Sequence, residues 1–588
     1  MTNVTSNSQA NPLTTDAAND CAYNTTDVFS SNNLHNKPFL AAIRAKFEEG
    51  SIPWQGIDYL GHMNYKVLPI ALEGANIANF YNPNNVTNES SPVSSKMESE
   101  NIENFCKAIG YNPDDATGSS LSGGTNANLQ ALYTARVLQQ VKHALLVNPR
   151  LQTVTSQLTD IEKANLNHST VKQLFSSLSK SEREKVIAAA KDQFVHSRGK
   201  IISPTSTHYS INSAASILGL PTSDVMQVQT DDKGGIDIVT LEQTLTHCIK
   251  NAVPIQALVL VLCTTETGAY DQINKVIELR DKLIAQYNIG FWLHVDAAFG
   301  GYLTTLVRDA DGNLLPYQQV HKVFKEQEFL KALNFSKALY NAVCALKHCD
   351  SVIIDPHKMG YIQYGCGMLL YKDRLFASLI AKNAAYVFEG DSDLSHGVIN
   401  IEGSRPGATA VAIHAASELL PLNITGYGQL IGKTCNAAKG LYDLMRAQPS
   451  IEVKGKWFDI QPVNNPEFNT LIWTVNERGS SSLRAQNALN KAIYDKTHYT
   501  GVGEKPIYYT SSTQLEINQT KALKNYINER GFTQQECNTE QHLYVLRGIT
   551  MNPNLANEQA LNAFWQNLKS KISQVLRSVL TEQANNAA

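Results

Sequence analysis

Lys358 stands two residues beyond Asp355-Pro356, which close the apolar run Ser351-Val352-Ile353-Ile354. Lysine is rarely buried, so an amine at the end of such a run is either a solvated loop charge or a placed reactive group. Three other polar positions follow apolar runs in the same way. Asp296 ends the strand-like stretch of LHVDAAFGG, where a carboxylate is costly to bury unless a cation meets it. An N-capping role for Asp296 is as plausible when it is read alone. His208 follows KIISPTST at the start of a helical pattern, and singly it reads more readily as a cap or packing residue than as a catalytic one. Gly123-Gly124-Thr125-Asn126 opens another helical pattern, whose free N–H groups would suit a phosphate. Two glycines before a helix are more often a plain turn.

Together the four are far more specific than any one. An amine, a carboxylate, a flat ring and an anion cradle are what a protein supplies to hold pyridoxal 5'-phosphate. Lys358 would form the Schiff base with the aldehyde, and Asp296 would keep the pyridine nitrogen protonated. His208 would stack on the ring, and the helix start would take the phosphate. Thr265, in CTTETGAYD, closes another apolar run and can line the same crevice.

The elements around these residues explain how they could meet. From about residue 110 to 405, β-branched runs (KIISP, IQALVLVL, GFWLHVD, SVIID) alternate with helical stretches such as SINSAASILGL and INKVIELRDKLIAQY. That alternation predicts a parallel, doubly wound α/β sheet, in which ligands gather at the carboxyl ends of the strands. Polar, helical residues 150–197 and the long excursion 305–349 read as insertions. Residues 1–36 are rich in Asn, Ser and Thr and read as a flexible tail, 37–110 as a helical segment, 111–410 as the large domain, and 411–588 as a smaller α+β domain. The last carries a strand at 542–550 and a closing helix from Glu558 to about Leu580.

Composition removes several classes of function. Of 588 residues, 43% are apolar, and 50 basic against 53 acidic residues leave a net charge of −3, so no global field holds nucleic acid or an anionic membrane. The longest apolar runs fall well short of the ~20 residues of a membrane helix. The N-terminus lacks the basic start and apolar stretch of a secretory leader, and nine scattered cysteines without a CxxC pair fit free thiols better than disulfides or a zinc site. A cytoplasmic enzyme of small molecules is the expectation.

HVDAAFGGYL, DPHKMG, the His208 segment and SGGTNAN resemble the group II pyridoxal-phosphate decarboxylases. WQGIDYLGHMN, FYNPNNVTNESSPVSSKME, DPHKMGYIQY, AYVFE and LPLNITGYGQLIG are similar, in order and wording, to the bacterial tyrosine decarboxylases, over roughly residues 38–580. The resemblance implies fold type I, aspartate aminotransferase-like, with a mostly parallel seven-stranded sheet, and a homodimer with each active site at the interface. It makes Lys358 the Schiff-base lysine, Asp296 the partner of the pyridine nitrogen, Ala298 a ring contact and His208 the stacking residue. Gly124, Thr125 and His357 become phosphate or near-phosphate positions, with Ser404 reaching the phosphate from the neighbouring chain. Arg547 matches an arginine near the substrate carboxylate, while His62 and Tyr364 become candidates for the side-chain pocket. Tyr386 matches the loop tyrosine that returns a proton to the substrate carbon. A Tyr386→Phe variant is therefore expected to divert turnover toward aldehyde and ammonia, and an unchanged amine yield in product analysis would count against that role.

Tyrosine or another aromatic amino acid is the first expectation for substrate, and glutamate or aspartate the second. Ile549 and Gln363-Tyr364-Gly365-Cys366 depart from the wording of the tyrosine decarboxylases and touch the expected pocket. A carbon–carbon lyase of the sphingosine-phosphate type shares a DPHK-like lysine but usually works at a membrane. A non-catalytic cofactor or nucleotide binder fits poorly with an intact Lys358, Asp296 and His208 set and no G-x-G-x-x-G after a first strand.

Overall fold

The computed structural model describes residues 38–192, 198–326, 333–381, 396–499 and 505–587. Two units divide at Pro53 and Trp54. The described part of the first is helix α1 (Pro38–Gly50), which buries none of its residues and leaves Phe39, Ile43 and Phe47 uncovered. Their spacing of four places them in one apolar stripe.

The second unit holds two sheets. In chain order the first comprises β1 (Thr117–Leu121), β2 (Lys200–Pro204), β3 (Val225–Val228), β4 (Ile255–Val261), β5 (Trp292–Asp296), β6 (Ser351–Ile354) and β7 (Gly367–Tyr371). Their spatial order is β1-β7-β6-β5-β4-β2-β3. Pairing is parallel from β3 through β2, β4 and β5 to β6, while β7 runs antiparallel to both β6 and β1. This is the mostly parallel seven-stranded sheet expected. Every residue of β4, β5 and β6 is buried, which is why these strands read as continuous apolar runs rather than as alternation. Successive side chains feed opposite faces. Leu258, Leu260, Val295, Val352 and Ile354 join one core, and Ala257, Val259, Trp292 and Ile353 the other. Helix α4 (Gly124–Leu146) packs Ala127, Ala131, Ala135 and Leu138 into the second core, and the helix Ile273–Tyr287 closes the first with Ile273, Val276, Leu279 and Leu283.

Helices α2 (Pro69–Tyr81) and α3 (Pro92–Ile109) precede the sheet, and both expected insertions are helical, with helices at His168–Ser176, Lys180–Asp192, Tyr317–Glu326 and Lys337–Ala345. The second sheet comprises β8 (Ser450–Val453), β9 (Lys456–Pro462), β10 (Thr470–Glu477), β11 (Ser511–Glu516) and β12 (His542–Ile549), in the order β11-β12-β10-β9-β8. All its pairings are antiparallel. The helices Tyr427–Ala447 and Glu558–Ala587 add Leu441, Met445, Trp565 and Ile572 to its core. The closing helix runs seven residues beyond the expected Leu580, through a polar stretch whose composition gave no sign of it.

Candidate active site

A cavity of about 500 Å³ opens at the carboxyl ends of β2, β4, β5 and β6, beside the N-terminus of α4. Lys358, Asp296, His208 and Ala298 line it, with Gly124, Thr125, Thr265, His357 and Tyr364. Residues spread over more than two hundred positions of sequence thus share one wall, because each follows a strand whose end faces the same edge of the sheet.

Asp296 ends one arm of a hydrogen-bond chain that the sequence did not disclose. Its Oδ2 accepts from Asn128 Nδ2 at 2.8 Å, and its Oδ1 accepts from the Ala298 N–H at 3.1 Å. Asn128 Nδ2 also donates to Ser210 Oγ at 2.9 Å, while Asn128 Oδ1 lies 2.8 Å from His294 Nε2. With that amide orientation, His294 carries its proton on Nε2, and Nδ1 accepts from the Ser351 hydroxyl at 2.8 Å. Trp292 Nε1 donates to the same hydroxyl at 2.9 Å. Ser210, having accepted from Asn128, is free to donate to His208 Nδ1 at 2.8 Å. One buried asparagine on the second turn of α4 therefore orients both Asp296 and His208. Burial lowers the pKa of His208, an effect that outweighs the nearby Asp296 carboxylate, so its ring is neutral at pH 7 with the proton on Nε2.

Burial also pulls His294 down to about 4. Its folded pKa lies below the ordinary value, so between about pH 6.5 and 4 the unfolded chain binds a proton that the folded chain refuses. The contribution is whole above pH 6.5 and shrinks as pH falls, by roughly 3 kcal/mol in all. Urea unfolding at pH 7 and pH 4.5 is expected to show this loss, and His294→Gln is expected to flatten it.

Lys358 Nζ lies 3.1 Å from Asp355 Oδ2, and His357 Nε2 lies 3.6 Å from the same oxygen. Burial alone would depress the lysine, but the Asp355 and Asp296 carboxylates together raise its pKa. His357 Nδ1 donates to the Cys366 carbonyl, which fixes the ring, and Tyr364 packs against it with centroids 4.5 Å apart. At Gly124 a Cβ would sit 2.8 Å from Asp355 Oδ2 and 3.2 Å from Ala298 Cβ, so a bare backbone is required there. The N-cap residue Gly123 has no side chain to cap the helix, which leaves the first-turn N–H groups of α4 beside the cavity.

The remaining expected residues fall around this wall. Arg547, on β12, donates to Glu266 Oε2 at 2.7 Å and to the Thr265 carbonyl at 3.3 Å, and Glu266 lines the cavity. His62 keeps an exposed edge, while the protein around its ring displaces enough water, together with the Arg547 charge, to lower its pKa. Ser404 is exposed and outside the cavity wall, accepting from Asn84 Nδ2 at 3.0 Å. Tyr386 lies outside the described residues. Sequence reasoning missed Asn128, Ser210, Asp355 and Glu266. Only Asp355, three residues before Lys358, carried a usable signal.

Residues 169–314 match the pyridoxal-dependent decarboxylase conserved domain, and residues 437–576 match the C-terminal region described as tyrosine decarboxylase. The L-tyrosine decarboxylase of Enterococcus faecium is 32% identical over 556 residues, 93% of this chain and 90% of that protein. The chain belongs to the pyridoxal-dependent decarboxylase family. A second relative of this decarboxylase, the L-tyrosine decarboxylase of Levilactobacillus brevis, is 33% identical over 93% of this chain and 87% of its own. The crystal structure of Oryza sativa TDC with PLP and tryptamine superposes with a TM-score of 0.62 at 14% identity, covering 94% and 91% of the two chains. That likeness places the decarboxylase in fold type I. Its cofactor is pyridoxal 5'-phosphate, and the cavity suits that group. The buried hydroxyls of Ser206 and Thr207 on its wall lack hydrogen-bond partners among the described residues. Unspent donors beside an uncapped helix start are what a phosphate needs.

Proposed function

We propose that this decarboxylase converts L-tyrosine to tyramine and carbon dioxide. The observation that carries the reading is agreement with the L-tyrosine decarboxylases of Enterococcus faecium and Levilactobacillus brevis across 93% of the chain. Bound in the cavity, pyridoxal 5'-phosphate supplies an acceptor for the electron pair released as the Cα–carboxylate bond breaks. The chain's own residues hold that acceptor and steer the bond. The Lys358 amine would hold the cofactor at its aldehyde. Asp296, buried and kept in register by Asn128, accepts the proton-bearing ring nitrogen. Neutral His208 and Ala298 would hold the ring, and Gly124, Thr125, Ser206 and Thr207 would hold the phosphate, with His357 near it.

Thr265 lines the cofactor crevice, and His62 and Tyr364 border the substrate side, where the Tyr364 hydroxyl donates to Asn64 Oδ1 at 2.6 Å. Arg547 stands for the substrate carboxylate, and Tyr386 for the proton returned to Cα. The decarboxylase works as a homodimer with Ser404 facing the partner's site. Support comes from the apolar surface left open on α1 and on α2, where Phe80 is 84% and Ile77 55% exposed. No helix among the described residues is long and apolar enough to cross a membrane, and the described cysteines are free thiols, which suits the cytoplasm. The test is competition: an equimolar mixture of tyrosine, dopa, tryptophan, glutamate and aspartate is offered, and the amines are counted. Tyramine in clear excess supports the reading, and β-alanine or γ-aminobutyrate in excess sinks it.

A further inference from the structure

A pocket that takes an acidic side chain must offer it an uncompensated cation, so the charge partners of each cation on this wall decide selectivity. Lys358 is paired with Asp355 at 3.1 Å and is committed to the cofactor. His208 already accepts a hydrogen bond at Nδ1 from Ser210. His357 is held by the Cys366 carbonyl and lies 3.6 Å from Asp355. Behind the wall, in contact with the lining residue Glu266, stands Arg547, whose position is fixed from the second sheet. Its Nε donates to Ser511 Oγ across the β11–β12 pair at 2.8 Å, and its side chain is 5% exposed. Its Nη1 meets Glu266 Oε2 at 2.7 Å. The Glu266 side chain is 53% exposed and lines the cavity itself. Glu266 rides on a tight turn that leaves β4 through Cys263 at a φ of +67° and closes with the Gly268 N–H on the Thr264 carbonyl at 2.9 Å. The turn puts this carboxylate, rather than a neutral residue, between Arg547 and the cavity.

We propose that Glu266 is the residue that keeps acidic amino acids out of this decarboxylase, by engaging one arm of Arg547, so that this cation serves a single substrate carboxylate, and by facing any second carboxylate with its own charge. The proposal rests on the tyrosine reading above and deepens it. An aromatic substrate brings one carboxylate, for which Arg547 stands, whereas glutamate brings a second that finds Arg547 already shared between Glu266 and the first and Glu266 repelling.

The experiment compares kcat/KM for L-glutamate and L-tyrosine in the holoenzyme with Glu266 and with Glu266→Gln, which keeps the shape and removes the charge. Glu266→Gln is expected to raise the glutamate-to-tyrosine ratio about tenfold or more, through KM, and to tighten competitive inhibition by glutarate by a similar factor. Glu266→Asp, which keeps the charge, is expected to hold the ratio near that of the parent. Because Glu266 is half exposed, both variants are expected to fold. An unchanged ratio in Glu266→Gln, or parallel losses on both substrates, overturns the role of Glu266 alone. A parent enzyme that already prefers glutamate overturns the substrate reading and this inference together.

Discussion

Lys358→Ala is expected to lower kcat for L-tyrosine by about a thousandfold or more and to abolish the visible absorbance of lysine-linked cofactor. The expectation follows from where the amine sits. Lys358 is at the carboxyl end of β6, on the cavity wall, with its ammonium matched by Asp355 at 3.1 Å and further stabilised by Asp296. Alanine removes the only lysine on that wall among the described residues and leaves the Asp355 carboxylate, 1% exposed, without its closest cation. Two losses follow, one chemical and one structural, and they separate by rescue. Added methylamine can replace an amine in the chemistry but cannot refill a packed site. Partial return of turnover with amine marks the chemical loss, and a variant that retains its parent's turnover would remove Lys358 from the reaction.

Asp296→Asn is expected to reduce kcat by about 10² to 10⁴-fold while leaving the fold intact. Asparagine keeps the size but only one of the two acceptor oxygens that now take Asn128 Nδ2 at 2.8 Å and the Ala298 N–H at 3.1 Å, so one of these donors loses its partner. What disappears is the negative charge that would keep the cofactor nitrogen protonated, and with it the strength of the electron acceptor. The structural share of the loss is one buried hydrogen bond, about 1 to 3 kcal/mol, which an unfolding measurement separates from the loss of turnover. Cofactor should therefore still bind, measured by its absorbance at saturation, while turnover falls. Loss of binding with normal turnover per bound cofactor would reverse the assignment of Asp296 from chemistry to retention.

Most of what positions the site was legible in the sequence. β4, β5 and β6 are buried on both faces, so their runs Ile255–Val261, Trp292–Asp296 and Ser351–Ile354 stand out as apolar, and the polar residues after them mark the sheet edge. β1 is Thr-Gly-Ser-Ser-Leu, which has no β-branched core residue beyond its first position, and its burial comes from α3 and β7 rather than from composition. Such a strand carries its signal in its neighbours. The same holds for the unseen parts of the site. Asn128 lies within an ordinary helical stretch, and its importance arises only when α4 sets it against the ends of β5 and the His208 turn. Glu266 reads as a turn residue until β12 brings Arg547 beside it from 281 positions away. Pairings over such distances are fixed by topology, which local pattern does not encode.

The central claim is that Lys358 holds the cofactor through which this chain decarboxylates, and borohydride reduction tests it most directly. The purified protein, saturated with pyridoxal 5'-phosphate, is reduced, digested and analysed by mass spectrometry for the modified lysine. The account predicts one pyridoxyl group per chain, on Lys358 in the peptide spanning Asp355 to Met359, and protection of that lysine when L-tyrosine is present during reduction. Modification spread over surface lysines, or fixed on another lysine with Lys358 untouched, would contradict it.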